Sequence, residues 1–136
     1  MQPDGILETA LYVDDLASAK AFYGAVIGLS VITEVAGRHV FFRCGDGVLL
    51  LFDPAATAQP PSDPSMPVPP HGAHGPGHAC FRVAGDALDG WRDHLEEAGI
   101  AIEADFRWPN GARSLYFRDP AGNSLEISEP KLWGLA

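Results

Sequence analysis

Glu8, His78 and Glu126 carry the donor atoms of this chain best suited to a cation, and the sequence sets them at matched places in two repeated stretches. Alternate side chains of a strand point to opposite faces. With Leu7, Thr9, Leu11 and Val13 turned toward a helix carrying Phe22 and Val26, Glu8 is left on the helix-free face with Ala10 and Tyr12. By the same parity Ala79, Phe81 and Val83 pack under a second helix, and His78, Cys80 and Arg82 oppose them. On the last strand Leu125 and Ile127 take the helix side, leaving Ser124 and Glu126 open. If the sheet curls, that open face lines a concavity. Two carboxylates sunk there uncompensated would be strongly destabilising, so a positive partner is expected. A divalent metal is the economical one, because one imidazole nitrogen and two carboxylate oxygens leave positions for substrate or water. Two plainer readings stay open: an ion pair of Glu126 with Arg82 or Arg113, and His78 as a hydrogen-bonded cavity residue without metal.

The elements that must hold these residues form an internal duplication. Leu7 to Val13 opens one half as Gly77 to Val83 opens the other; each opening leads to a helical pattern, a glycine (Gly28 or Gly99) and a closing hairpin. The first half predicts a strand over 6–13, a helix over 16–27 capped by Asp14 or Asp15, and strands over 30–34, 39–44 and 47–52. The second predicts a strand over 78–83, a helix over 87–98, and strands near 100–104, 114–118 and 124–128. Asp119-Pro120-Ala121-Gly122-Asn123 supplies turn chemistry between the last two. One domain over 1–136 is expected, with βαβββ modules at 5–53 and 77–129, a Pro/Gly-rich linker without elements at 54–76, and a tail at 130–136. The fold class is α+β, a curled mixed sheet with helices on its outer face. A linker of this length reads either as a mobile spacer or as a functional loop over a site. The tail, with Trp133 and Leu135, is expected to dock on the body or on another subunit.

With 136 residues, 46% hydrophobic and 20% charged, the chain has the composition of a soluble globular protein. Nine basic against eighteen acidic residues, a formal charge of −9, argue against nucleic acid as a partner. The longest apolar run, Val48 to Phe52, is too short to span a membrane, and no signal peptide is read at the start, so a cytoplasmic protein is expected. Cys44 and Cys80 lack CxxC spacing, which disfavours a disulfide framework or thiolate zinc site, and Cys80 reads as a small buried residue. His71, His74 and His78 form an HxxHxxxH string on a loop, where spacing imposes no shared face; His71 and His74 are read as loop residues beside the cleft mouth, able to carry protons.

Three segments together carry a family resemblance: Leu7-Glu8-Thr9-Ala10-Leu11-Tyr12-Val13-Asp14-Asp15-Leu16 with Ala21-Phe22-Tyr23 and Gly28-Leu29; Gly77-His78; and Phe117-Arg118-Asp119-Pro120-Ala121-Gly122-Asn123-Ser124-Leu125-Glu126. In that order and spacing the chain resembles the vicinal oxygen chelate superfamily, which includes glyoxalase I, fosfomycin-resistance, extradiol dioxygenase and bleomycin-resistance proteins. The resemblance implies metal ligands on the first and last strands of each module, hence Glu8, His78 and Glu126. Aligning Gly47 with Gly122 puts Leu51 at the fourth position, a departure from the four-ligand glyoxalase pattern. Glu8 also stands where dioxygenases and fosfomycin-resistance enzymes typically have His. The implied cofactor is a divalent ion, one of Mn, Fe, Ni, Zn or Mg. The implied activity is metal-dependent lyase or isomerase chemistry on a small oxygen-chelating substrate, with Glu8 and Glu126 catalytic and His39, Arg113, Tyr116 and His74 beside the substrate. Ring-cleaving dioxygenation and metal-free sequestration of a bleomycin-type drug are the alternatives, and a homodimer is implied.

Overall fold

A computed structural model describes residues 1–136, which divide into two compact units, Met1–Gly75 and Pro76–Ala136. In the first, β1 (Glu8–Tyr12), β2 (Ser30–Val35), β3 (His39–Cys44) and β4 (Gly47–Phe52) form a four-stranded sheet of order β1-β4-β3-β2. β1 runs parallel to β4 and the other pairs are antiparallel. The helix α1 (Leu16–Phe22) continues as a π-helical turn through Tyr23–Ile27 and stops at Gly28, whose φ of 82° suits a residue without Cβ. Asp15 is its cap, accepting from the Ser18 amide at 3.0 Å and the Ser18 hydroxyl at 2.8 Å. α1 packs on β3 and β4 through Ala19 and Phe22, and the buried Leu11, Val13, Phe42 and Leu51 complete that core. The linker is not wholly without elements. Asp53 accepts from the amides of Ala55 and Ala56, Pro54 sets the first helical position, and Pro54–Thr57 close one helical turn, α2.

The second unit repeats the plan. β5 (His78–Arg82), β6 (Ala104–Arg107), β7 (Arg113–Arg118) and β8 (Ser124–Ser128) form a second sheet of order β5-β8-β7-β6, with α3 (Leu88–Glu97) against β7. The expected α+β fold of two βαβββ modules is therefore present, as two four-stranded mixed sheets in place of one continuous sheet. The strand expected near 100–104 is displaced to Ala104–Arg107. Ile100 is drawn into capping α3, its amide donating to Leu95 O at 2.9 Å, and the ladder with β7 begins only where the Glu103 amide reaches Tyr116 O at 2.8 Å. The 119–123 turn ties the sheet together: Asp119 Oδ1 accepts from the amides of Ala121 and Asn123, and Asn123 Oδ1 accepts from Gly77 N at 2.7 Å. That last bond fixes where β5 begins beside β8, and so where His78 stands. The tail docks on its own unit: Pro130–Trp133 form a 3₁₀ turn and Arg82 donates to Ala136 O. No helix is long and apolar enough to cross a membrane.

Candidate functional site

In the second unit the helix-free face gathers its polar side chains around one carboxylate. Parallel pairing sets His78 opposite Ser124 and Cys80 opposite Glu126, and the β7–β8 hairpin sets Tyr116 opposite Glu126 and Ser114 opposite Ser128. Glu126 is only 4% exposed. Its Oε1 accepts from Ser114 Oγ at 2.5 Å, and Ser114 Oγ accepts from Trp108 Nε1 at 2.8 Å. The indole can only donate, so the single Ser114 proton has two acceptors before it, Glu126 Oε1 at 2.5 Å and Ser128 Oγ at 3.1 Å, and the shorter, charge-assisted contact to the carboxylate is the stronger. Desolvation first, then the charge of Glu126, push the Tyr116 hydroxyl up to about 12, and the same two causes push the Cys80 thiol up to about 12. An aromatic row lies alongside: Phe106 stacks parallel to Tyr116 at 6.0 Å, and Tyr116 on His78 at 6.2 Å.

His78 and Glu126 meet in a way that protein atoms alone leave unsatisfied. Nδ1 of His78 lies 2.9 Å from the Ser124 carbonyl oxygen, an acceptor only, so Nδ1 carries a proton. In the neutral ring Nε2 then bears a lone pair, and it faces Glu126 Oε2 at 3.4 Å. Two acceptors facing one another call for a cation between them, either a proton or a metal ion. The surroundings fit a metal: the other imidazole nitrogen is anchored on a backbone carbonyl, and the other carboxylate oxygen is held by Ser114. No group of three or more His, Cys, Asp or Glu side chains is placed within the chain to hold a metal ion.

The first unit uses the corresponding face differently. Glu8, His39, Phe41, Leu50 and Phe52 line a cavity of about 770 Å³, within the range of small-molecule sites. Its opposite wall is the proline-rich segment from Pro61 to His71. His71 moors that segment to the module: its amide donates to Thr57 O at 3.0 Å and its Nδ1 lies 2.6 Å from the Tyr12 hydroxyl. His39 stacks on Phe41, with ring centroids 4.0 Å apart, and its buried Nδ1 has no hydrogen-bond partner. Burial and, next, the Arg38 charge hold the His39 pKa below its ordinary value.

Residues 5–127 match the model of the Glyoxalase/Bleomycin resistance protein/Dioxygenase superfamily. The chain belongs to that superfamily. It is 48% identical to a lactoylglutathione lyase from Agrobacterium tumefaciens, over 99% of this chain and 100% of that one, with a TM-score of 0.93. A virulence protein from Salmonella typhimurium (24% identity over 95% of this chain and 97% of that one, TM-score 0.70) shares the fold. So does a fosfomycin resistance protein from Listeria monocytogenes, crystallised with Mn(II) and a dihydroxypropylphosphonic acid (16% identity, 93% and 90%, TM-score 0.67). The superfamily and the lyase likeness support an enzyme of glyoxalase-like function.

For this glyoxalase-superfamily chain the structure sorts the sequence candidates into two groups. Glu8 and His39 share the first-module cavity; His78, Glu126 and Tyr116 share the second-module face. Arg113 joins neither. Its strand neighbours Leu115 and Phe117 are core, so its guanidinium lies on the helix side. There it is engaged by Asp105 at 2.7 and 2.8 Å and by Asp89 of α3 at 2.6 Å, and it is not available to a ligand on the opposite face. Bonds from Arg113, then Arg92, hold the Asp105 carboxyl down to about 2. His74 is exposed on the loop, with no place in either group. Leu51 is not the counterpart of Glu126. Glu8 pairs with Val48 as His78 pairs with Ser124, which makes Leu50 the equivalent residue; Leu51 is fully buried on the helix side. The two-residue turn at Gly45-Asp46 and the five-residue turn at 119–123 put Gly47 and Gly122 out of register. Cys80, expected to be buried, is exposed as a residue on the open face, although its thiol is turned to the Glu126 carboxylate and desolvated there. The Trp108–Ser114–Glu126 chain has no motif in the sequence; its one signal is the hairpin register, which pairs Tyr116 with Glu126 and brings Ser114 to the same face two residues away.

Proposed function

We propose that this chain is a glyoxalase-like, metal-dependent enzyme carrying out lyase or isomerase chemistry on a small oxygen-chelating substrate. The opposed acceptors of His78 and Glu126 carry the reading, since a divalent ion satisfies both where a hydrogen bond between neutral His78 and the carboxylate cannot form. Glu8 is the third proposed donor, brought by a first module; an imidazole and two carboxylates suit Mn, Fe, Ni, Zn or Mg. When bound, such an ion supplies Lewis-acid stabilisation of negative charge developing on substrate oxygens. Ser114 fixes the Glu126 carboxylate, which suits it to holding the ion. Glu8, exposed and without a hydrogen-bond partner, suits the movement of a proton at a substrate carbon. Tyr116, which keeps its proton well above neutral pH, can donate to a substrate oxygen, and His39 faces substrate in the first-module cavity. A homodimer is part of the proposal, supported by the apolar side chains that β2 leaves exposed, Val31, Ile32 and Val35. Metal analysis of protein purified without chelator tests the core of it: one divalent ion per chain is expected in wild type and none in Glu126→Ala, and wild type that takes up no ion after loading would sink it.

The same 3.4 Å contact favours one second reading, in which His78 is protonated and the pair is an ordinary ion pair inside a metal-free small-molecule-binding protein. Titrating the His78 ring by NMR in chelated protein separates the two. A ring neutral at pH 7.5 supports the enzyme, and one protonated there supports the binding protein.

A further inference from the structure

The tail that closes the second unit builds a pocket against the open face of the β5–β8 pair. Leu132, Trp133 and Leu135 form one side of it and Cys80 and Arg82 of β5 the other, around about 150 Å³. A cavity of that order holds one benzene ring. The polar side chains of the lining are already engaged: Ser128 Oγ donates to Arg113 O at 2.9 Å, Glu129 Oε2 accepts from Arg113 N at 3.1 Å, and Arg82 donates to Ala136 O. What is left to meet a ligand is hydrocarbon, the Trp133 indole and the Cys80 thiol. Trp133 and Leu135 stay 78% and 63% exposed although they line the pocket, so the tail holds apolar surface that the unit itself leaves uncovered. The place of the pocket gives that surface a use. Across β5 and β8, Cys80 pairs with Glu126 and Arg82 with Ser128. The pocket therefore begins beside the Glu126 carboxylate and runs along the strands away from His78. The two-residue step from Glu126 to Ser128 covers about 7 Å of strand, a length that a ring on one methylene can span.

We infer that the substrate of this site carries a small apolar end, the size of a phenyl ring or a branched alkyl group, which lodges against Leu132, Trp133 and Leu135 of the tail while its oxygens lie at His78 and Glu126. This rests on the proposed metal-dependent enzyme for the place of the oxygens; the tail pocket itself needs no metal. The tail is then a specificity element, separate from the donor residues. A charged end would find only polar atoms that already have partners.

Calorimetry on the full chain loaded with Mn²⁺ tests the inference with 3-phenyllactate and lactate, which share a hydroxyl and a carboxylate on adjacent carbons and differ by the phenyl group. The phenyl compound is expected to bind wild type at least about tenfold more tightly, the effect of burying one ring in part. In Leu135→Glu and in Trp133→Ala that preference is expected to vanish while the affinity for lactate is kept. Both positions are mostly exposed, so neither substitution opens the core. A preference absent from metal-loaded wild type, or surviving both substitutions, would overturn the inference. A second measurement works without metal. In chelated protein, benzyl alcohol is expected to shift the NMR resonance of the Trp133 indole N–H and to leave those of Trp91 and Trp108 in place. A Trp133 resonance unmoved by about 10 mM alcohol, or a shift shared equally by all three indoles, overturns the inference as well. Wild type that takes up neither Mn²⁺ nor Zn²⁺ defeats the metal reading alone, and the benzyl alcohol measurement then decides the pocket.

Discussion

Replacing Glu126 by Gln should leave the metal-free protein at least as stable as wild type while abolishing metal binding. In wild type the carboxylate is 4% exposed, holds one strong bond from Ser114, and faces the lone pair of His78 at 3.4 Å. The amide keeps its oxygen on Ser114 and presents an N–H to His78 Nε2, turning two opposed acceptors into a hydrogen bond, while the Tyr116 hydroxyl and Cys80 thiol can rotate to accept. Exchange of a charge-assisted for a neutral bond at Ser114 loses about 1 kcal/mol, and the new bond to His78 returns about 1 kcal/mol. Relief of the buried charge then decides the sign. Even a modest part of that desolvation penalty leaves Glu126→Gln more stable by about 1–2 kcal/mol, or about 3–10 °C in Tm for a chain of this size. Thermal unfolding at pH 7.5 followed by circular dichroism, with chelator and then with Mn²⁺ or Zn²⁺, reads both halves. At a hundredfold excess over Kd the metal should add about 2.7 kcal/mol to wild type and nothing resolvable to the variant. A variant destabilised by more than about 1 kcal/mol in chelator would refute the reasoning, because it would mean that a proton on His78 already bridges the pair.

Ser114→Ala removes the bond that orients Glu126 and leaves the Trp108 N–H without its acceptor; a loss of about 2 kcal/mol in denaturant unfolding and of about 10–100-fold in metal affinity is expected. His39 has a folded pKa below its ordinary 6.5, so the unfolded chain binds the extra proton first. Its contribution to stability is full above 6.5 and is lost as pH falls from there through the depressed folded value, and the Tm difference between wild type and His39→Phe should shrink over that window. Leu50→Glu places a carboxylate on the open face at the counterpart of Glu126, whereas Leu51→Glu drives one into the core; the first should fold, and the second should lose more than about 3 kcal/mol or fail to accumulate.

The fold was legible because strand periodicity, the glycines after the helices and the 119–123 turn each answer to local chemistry that the sequence spells out. β3, β4 and β8 begin and end within a residue of where alternation and turn residues put them. β6 was misplaced because Ile100 and Ile102 alternate like a strand, yet the chain leaving α3 spends its first residues capping the helix. The faces of Glu8, His78 and Glu126 followed from parity alone. What parity did not reveal were contacts set by hairpin register, the Trp108–Ser114–Glu126 chain among them, and the proline-rich wall over the first-module cavity, whose course depends on the single Tyr12–His71 anchor and α2. Arg113 differs for the opposite reason: its charge suggests a ligand, and only the carboxylates of Asp89 and Asp105 on its own face show where that charge is engaged.

Registering the two modules on their parallel pairs explains why a duplicated scaffold does not give a duplicated site. Glu8 answers to His78, and Leu50 to Glu126. The hairpin pairing then sets His39 against Ser114 and Phe41 against Tyr116, because His39 faces Phe52 and Phe41 faces Leu50 as Ser114 faces Ser128 and Tyr116 faces Glu126. At these four positions the second module has an imidazole, a carboxylate and two hydroxyls, each able to hold or orient a charge. The first has one carboxylate, one imidazole without a hydrogen-bonding neighbour at Nδ1, and two apolar side chains. With Leu50 in place of a second carboxylate, the exposed Glu8 meets no like charge across the β1–β4 pair, and the wall beside it is apolar. The sheet geometry is common to both modules, so the division between a face that manages charge and a face that is largely apolar lies in these side chains alone. Exchanging Phe41 and Leu50 for their counterparts, Tyr and Glu, should therefore create cation affinity in the first module, read by calorimetry with Mn²⁺ against the unchanged chain.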